Sequence, residues 1–121
     1  MEKVFETESF VSIDSAWHQE LTFDEAYVVT VMIENLGSDP IYGFYLNDDD
    51  FKSMIESGVA NDAVMSRIQR QLICENECDV AKVEVHFPAG KHFVCLELDV
   101  ESKPDARRTQ FLFSLHEKSS G

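Results

Sequence analysis

Apolar and polar residues alternate with a period of two along most of this chain, the spacing that puts every second side chain of a β-strand on one face. Phe5, Val11 and Ile13 share one parity with Thr7 and Ser9 between them, and Glu6, Glu8, Ser12 and Asp14 take the other. The pattern predicts a half-buried first strand with an acidic outer face. Phe10 breaks the parity, so a bulge or an exposed aromatic is expected beside Ser9. Residues 27–33 (YVVTVMI) form the clearest strand, rich in β-branched side chains. Tyr27, Val29, Val31 and Ile33 lie on one of its faces, Val28, Thr30 and Met32 on the other. The second face is apolar too, so cover on both sides is expected.

Residues 35–40 (NLGSDP) have the make-up of a turn, and residues 41–46 (IYGFYL) read as a short aromatic strand behind it. An antiparallel hairpin of the two strands is the economical pairing. Helical spacing follows. Asp48, Asp49 and Asp50 precede Phe51, Met54 and Ile55, which stand at i, i+3 and i+4. Carboxylates there suit a helix N-terminus, where they accept orphan N–H groups and complement the dipole. Gly58 is expected to end that helix. A second helix is expected from Asn61 or Asp62, with Val64, Ile68 and Leu72 as its stripe and a stop near residues 74–76.

The last third alternates again, over residues 80–87, 93–100 and 109–115, with turns at residues 88–91 and 102–105. It reads as a meander ending on an edge strand. The order is β-β-β-α-α-β-β-β. It predicts a single α+β domain over residues 1–121, an antiparallel sheet of about six strands with two helices packed on one face. Val29, Val31, Val64, Ile68, Val83, Val85, Leu96, Leu98, Phe111 and Phe113 are the expected core.

Composition narrows the function classes. A hydrophobic share of 44% with nine Phe excludes disorder despite the charge. Of the net charge of −13, −11 resides in the first 50 residues, which hold twelve acids and one base, Lys3. Such a field attracts basic surfaces and repels nucleic acid and anionic membrane. The acidic first ten residues do not read as a signal peptide, and no apolar run approaches the ~20 residues of a membrane span. Three cysteines suit free thiols in a reducing compartment, so a cytoplasmic location is expected.

Chemical motifs are sparse. Cys74 and Cys78 have half of a zinc-site spacing, but His86, His92 and Cys95 supply no regular second pair. Asp48, Asp49 and Asp50 lack the alternating ligands, central Gly and closing Glu of a calcium loop. Cys78 lies among Glu75, Glu77 and Asp79, which disfavour a thiolate nucleophile. No glycine-rich phosphate loop occurs. Neither catalytic residues, nor a metal, nor a cofactor is expected, and the chain does not read as an enzyme.

Residues 15–25 (SAWHQELTFDE) hold the single Trp beside carboxylates, the composition of a contact surface or of a core lid. Two readings remain. In the first, a small acidic protein neutralises a basic protein partner, as a nuclease inhibitor, toxin-immunity protein or DNA mimic would. Its contact residues would be Glu6, Glu8, Asp14, Trp17, Glu20, Asp24 and Glu25. In the second, the chain is an assembly module, a homodimer or a chaperone-like domain, using the spare aromatics Phe10, Tyr42 and Phe93. A free monomer fits the first reading, a dimer the second.

Overall fold

The computed structural model describes residues 2–57, 66, 68, 72–74 and 79–117. Eight strands and one helix occur among them: β1 (Glu2–Ser12), β2 (Trp17–Phe23), β3 (Tyr27–Asn35), β4 (Ile41–Asn47), α1 (Asp48–Ser57), β5 (Leu72–Cys74), β6 (Val80–Phe87), β7 (Gly90–Leu98) and β8 (Arg108–Glu117). They form two four-stranded antiparallel sheets, ordered β1-β8-β3-β6 and β2-β7-β4-β5. The pairs β1–β8, β2–β7, β3–β6 and β4–β5 are nested, each inside the one before. A long hairpin rolled so that successive strand pairs fall alternately in the two sheets has this order, which is the jelly roll.

The α+β expectation is therefore wrong: the domain is mainly β, and the two sheets cover each other. The expected β3–β4 hairpin is absent, because residues 36–40 carry the chain from one sheet to the other. Pro88 and Ala89 do the same between β6 and β7, so the last third is no meander. Strand β8 is no edge either; it lies between β1 and β3. A period-two pattern states which side chains face inward but not which strand lies alongside, and that is where the reading failed. The second helix falls largely outside the described residues, as does Val64. Its expected end is contradicted, since Leu72 to Cys74 pair with β4.

The interior follows from inward-facing parity. Val29, Val31 and Ile33 of β3 and Phe111, Phe113 and Leu115 of β8 pack against Leu21, Ile41, Val94, Leu96 and Leu98 of the facing sheet. Trp17 fills the space between sheets, its ring 4.9 Å from Phe111 and 5.2 Å from Phe113. Phe23 stacks on Phe87 at 5.1 Å. Of the expected core, Val83 is only partly buried, while Val29, Val31, Ile68, Val85, Leu96, Leu98, Phe111 and Phe113 are buried. Gly43 permits the close approach of the sheets. A Cβ there would stand 2.6 Å from Leu96 on the neighbouring strand and 3.1 Å from Ile33 across the interface.

A second, smaller core covers the outer face of the β2-β7-β4-β5 sheet. Strand β4 leads directly into α1, and Asn47 caps it by accepting the Asp50 N–H at 2.8 Å. Asp48 pairs with Lys52 one turn on at 3.0 Å. The helix then lays Phe51 flat on Phe93, centroids 3.8 Å apart, beside Phe44, Leu46, Ile68 and Cys95. This makes β4 and β7 buried on both faces.

One end of the roll is tied by polar groups. The buried Asp39 carboxylate accepts from Lys103 Nζ at 2.7 Å and from the Arg107 and Arg108 N–H groups at 2.8 and 3.1 Å. Asn35 donates to the Asp39 carbonyl at 2.8 Å and accepts from Thr109 at 2.7 Å. Lys103 and the two amides hold the Asp39 carboxyl down at about 2.

Two outcomes check this architecture. Phe111→Ala should lower unfolding free energy by about 3–5 kcal/mol in denaturant melts, against less than ~0.5 kcal/mol for Ile13→Ser at an exposed site. The depressed Asp39 group stabilises the fold fully above its unfolded value of about 4, and that contribution is lost as pH falls toward 2. Stability measured from pH 6 to 2 should therefore fall less steeply in Asp39→Asn than in the parent.

Candidate functional site

The seven expected contact residues do not form one face. Glu6 and Glu8 point outward from β1, Glu8 accepting a hydrogen bond from Gln110. Glu20 points outward from β2, on the opposite side of the sandwich, 3.4 Å from Lys91. Asp14 lies in the turn before β2, and Asp24 and Glu25 follow its far end, about 20 Å away along the strand. Trp17 belongs to the interior. The block of acids is contiguous in sequence, yet the roll sends β1 and β3 to one sheet and β2 and β4 to the other. A charged segment becomes a charge spread around the molecule.

A more localised arrangement lies where β2 begins and β7 ends. Two hollows, of about 550 and 190 Å³, meet at Ala16 and Glu97 and form one open groove. Ile13, Asp14, Val100 and Pro104 line the first, Met54 and Ile55 of α1 the second. Ile13 is 51% exposed, Val100 41% and Ile55 59%, and what sets them apart is that all three gather around one groove. They are three of the six large apolar residues so exposed among the described residues. The lining holds two carboxylates and no Lys or Arg among the described residues.

Both loop walls of the groove are held by their own hydrogen bonds. Ser12 and Ser15 exchange backbone bonds of 3.0 and 3.2 Å, which presents Ile13 and Asp14 at the tip of a tight turn. Ile13 N–H is further tied to the Arg107 carbonyl at 2.9 Å. In the β7–β8 connection, Asp99 accepts from the Ser102 N–H at 3.1 Å and its hydroxyl at 2.7 Å. Lys103 N–H closes on the Asp99 carbonyl at 3.1 Å, so Val100 is held on a fixed loop.

Glu97 sits at the centre. It stands opposite Tyr42 in the β4–β7 ladder, and the Tyr42 hydroxyl donates to its Oε2. Burial first, then that bond and the Asp99 and Glu101 carboxylates, hold the Tyr42 phenol well above its ordinary value. It stays protonated and donating through the physiological range. Glu97 Oε1 has no hydrogen-bond partner among the described residues, and Asp14 no ion pair. Sequence reasoning found Asp14 but missed Glu97, Ile55 and Val100. A charge at an outward strand position looks like ordinary solvation until the turn, the helix and the β7–β8 connection close around it.

The outer face of the β1-β8-β3-β6 sheet is the other notable surface. The guanidinium of Arg108 lies 3.9 Å over the Phe10 ring, so Phe10 is the exposed aromatic and the bulge falls between Lys3 and Phe5 instead. Leu112 stands between Glu8 and Glu34 in register, with Val80 beyond. Among the described residues no helix covers this face, so the expected second cover of β3 is not found there. Its charges are mixed, with Lys82 and Arg108 among the carboxylates.

Among the described residues no three His, Cys, Asp or Glu side chains converge as a metal site. The Cys74–Cys78 pair lies outside the described side chains. His86 pairs with Glu84 at 3.1 Å and His92 Nε2 with the Pro88 carbonyl at 2.8 Å. Burial pushes the Cys95 thiol up to about 12.

No protein-family model matches the chain, and none of the curated proteins matches it. Solved structures do. The pre-peptidase C-terminal domain of collagenase from Bacillus anthracis aligns over 92% of this chain and 87% of its own, with a TM-score of 0.61 and 9% identity. PliG of Aeromonas hydrophila, a periplasmic inhibitor of g-type lysozyme, aligns over 94% and 85%, with a TM-score of 0.57 and 12% identity. At these identities the likeness is one of fold.

The Cys95 environment carries its own test. Iodoacetamide at pH 8 should leave the Cys95 peptide unmodified in the folded protein and alkylate it once denaturant is added, read by mass spectrometry. Modification of Cys95 under native conditions would contradict its placement beneath α1.

Proposed function

We propose that this chain is a non-catalytic binding module that engages a basic protein partner through the groove around Glu97. The observation that carries the reading is the coincidence of exposed apolar walls, carboxylates in a lining with no Lys or Arg among the described residues, and hydrogen-bonded loops in one place. Exposed apolar area supplies affinity once water is displaced, and the carboxylates select for positive charge and raise the association rate. Walls already held by hydrogen bonds reduce the ordering cost of association. The protonated Tyr42 phenol is a poor general base, and it ties up one oxygen of the carboxylate beside it, which suits recognition better than proton transfer.

The inhibitor version of this reading draws support from the fold likeness to the Aeromonas lysozyme inhibitor. A nuclease inhibitor or immunity protein would use the same contact physics. Mimicry of a nucleic-acid backbone is less favoured, because it needs a run of carboxylates along one face and here the acids are distributed over both sheets. A net charge of −13 opposes self-association, so the free protein is expected to be monomeric.

The test is capture of basic proteins on immobilised chain, followed by kinetics with each purified partner. Binding should weaken as the Debye length shrinks from ~10 Å at 0.1 M salt to ~3 Å at 1 M. Asp14→Lys should slow association several-fold, and Ile55→Ser should speed dissociation, with the circular dichroism of both variants unchanged. A partner indifferent to salt and to both substitutions would show that the groove is not the contact.

A further inference from the structure

We infer that the groove recognises one arginine or lysine side chain flanked by aliphatic residues, with Glu97 Oε1 as the anchor of its cationic head and Ile13, Val100 and Ile55 as seats for its neighbours. This rests on the protein-binding reading and specifies what the partner presents.

The argument starts from the shape. The two hollows meet at Glu97, so the only carboxylate common to both stands between an apolar seat at Ile13 and Val100 and another at Met54 and Ile55. An occupant that fills both seats must cross the boundary lined by Ala16 and Glu97, where the Glu97 side chain is the polar one. Its group at that point is selected by charge. An apolar group there would face a carboxylate oxygen that has no partner among the described residues, and an acid would be repelled by Glu97 and Asp14. A guanidinium or ammonium satisfies that oxygen through a charge-assisted hydrogen bond, and its methylene stem lies along apolar walls while the head reaches the carboxylate.

Tyr42 fixes the geometry of the anchor. Its hydroxyl holds Oε2, which leaves Oε1 as the acceptor and limits rotation of the carboxylate. Asp14 stands at the rim, on the tip of the turn closed by Ser12 and Ser15, where it adds to the attraction. The pattern expected in a partner is therefore aliphatic, basic, aliphatic, on a loop or strand able to enter an open groove.

The probe is the capped tripeptide acetyl-Leu-Arg-Leu-amide, titrated into the isotopically labelled chain and followed through backbone amide shifts. Saturable shifts are expected at Asp14, Ala16, Ile55, Glu97 and Val100. Replacing arginine with citrulline, which keeps the shape and removes the charge, should weaken binding about tenfold or more, and the Leu-Glu-Leu peptide should produce no saturable shifts. Glu97→Gln, which preserves an acceptor for Tyr42, should weaken the arginine peptide to the citrulline level. Asp14→Asn, where the carboxylate makes no ion pair among the described residues, should weaken it less and guards against misfolding of the first variant. Equal response to arginine and citrulline, shifts that survive Glu97→Gln, or shifts confined to the Phe10 face would overturn the assignment. An unmoved groove together with a basic protein still captured in an Asp14-dependent way would sink the side-chain assignment alone. Failure of both would remove the protein-binding reading as well.

Discussion

Everything else in this structure depends on two sheets burying their inner faces against each other. Phe111, Phe113, Val31, Ile33, Val94 and Leu96 have no other apolar surface to meet, because the one described helix lies on the outside of the β2-β7-β4-β5 sheet. Each large side chain withdrawn from water contributes about 1.5–3 kcal/mol, so the shared interior dominates the favourable side of folding. The nested pairing follows from the same demand. A chain that must line both walls of one interior alternates between them, and short connections such as Pro88 and Ala89 suffice because facing sheets are only ~10 Å apart.

That alternation also arranges the surface. A run of acids that looks like a single field is dealt to two outer faces and two ends, so no face inherits the whole of it. What concentrates instead is chemistry contributed by distant segments: Asp14 from a turn, Glu97 from β7, Val100 from a connection and Ile55 from α1. The groove lies where the start of β2 and the end of β7 meet the Ser12–Ser15 turn, the β7–β8 connection and Met54 and Ile55 of α1. The same end is tied beside the groove by Asp39, whose carboxylate draws Lys103 and two backbone amides inward. The same kind of acid thus has two roles. Surrounded by donors it ties loops together; with an oxygen left open beside apolar walls it becomes a site for a cation.

The sequence by itself determined which residues face inward. Parity placed Val29, Val31, Val85, Leu96, Leu98, Phe111 and Phe113 in the interior, and Asp48 to Asp50 at a helix start, because side-chain direction and capping are local properties of a few successive residues. It also marked Phe10 as out of parity. Strand β2 escaped notice because its inward set, Trp17, Gln19, Leu21 and Phe23, includes a polar member and lies among carboxylates. Tertiary structure alone decided that β3 and β4 part into different sheets, that Trp17 is core and that Glu97 stands in a groove. Each of these is a choice of neighbour between segments far apart in the chain. It is settled by which apolar faces can cover each other completely, and no window of alternating residues contains that information.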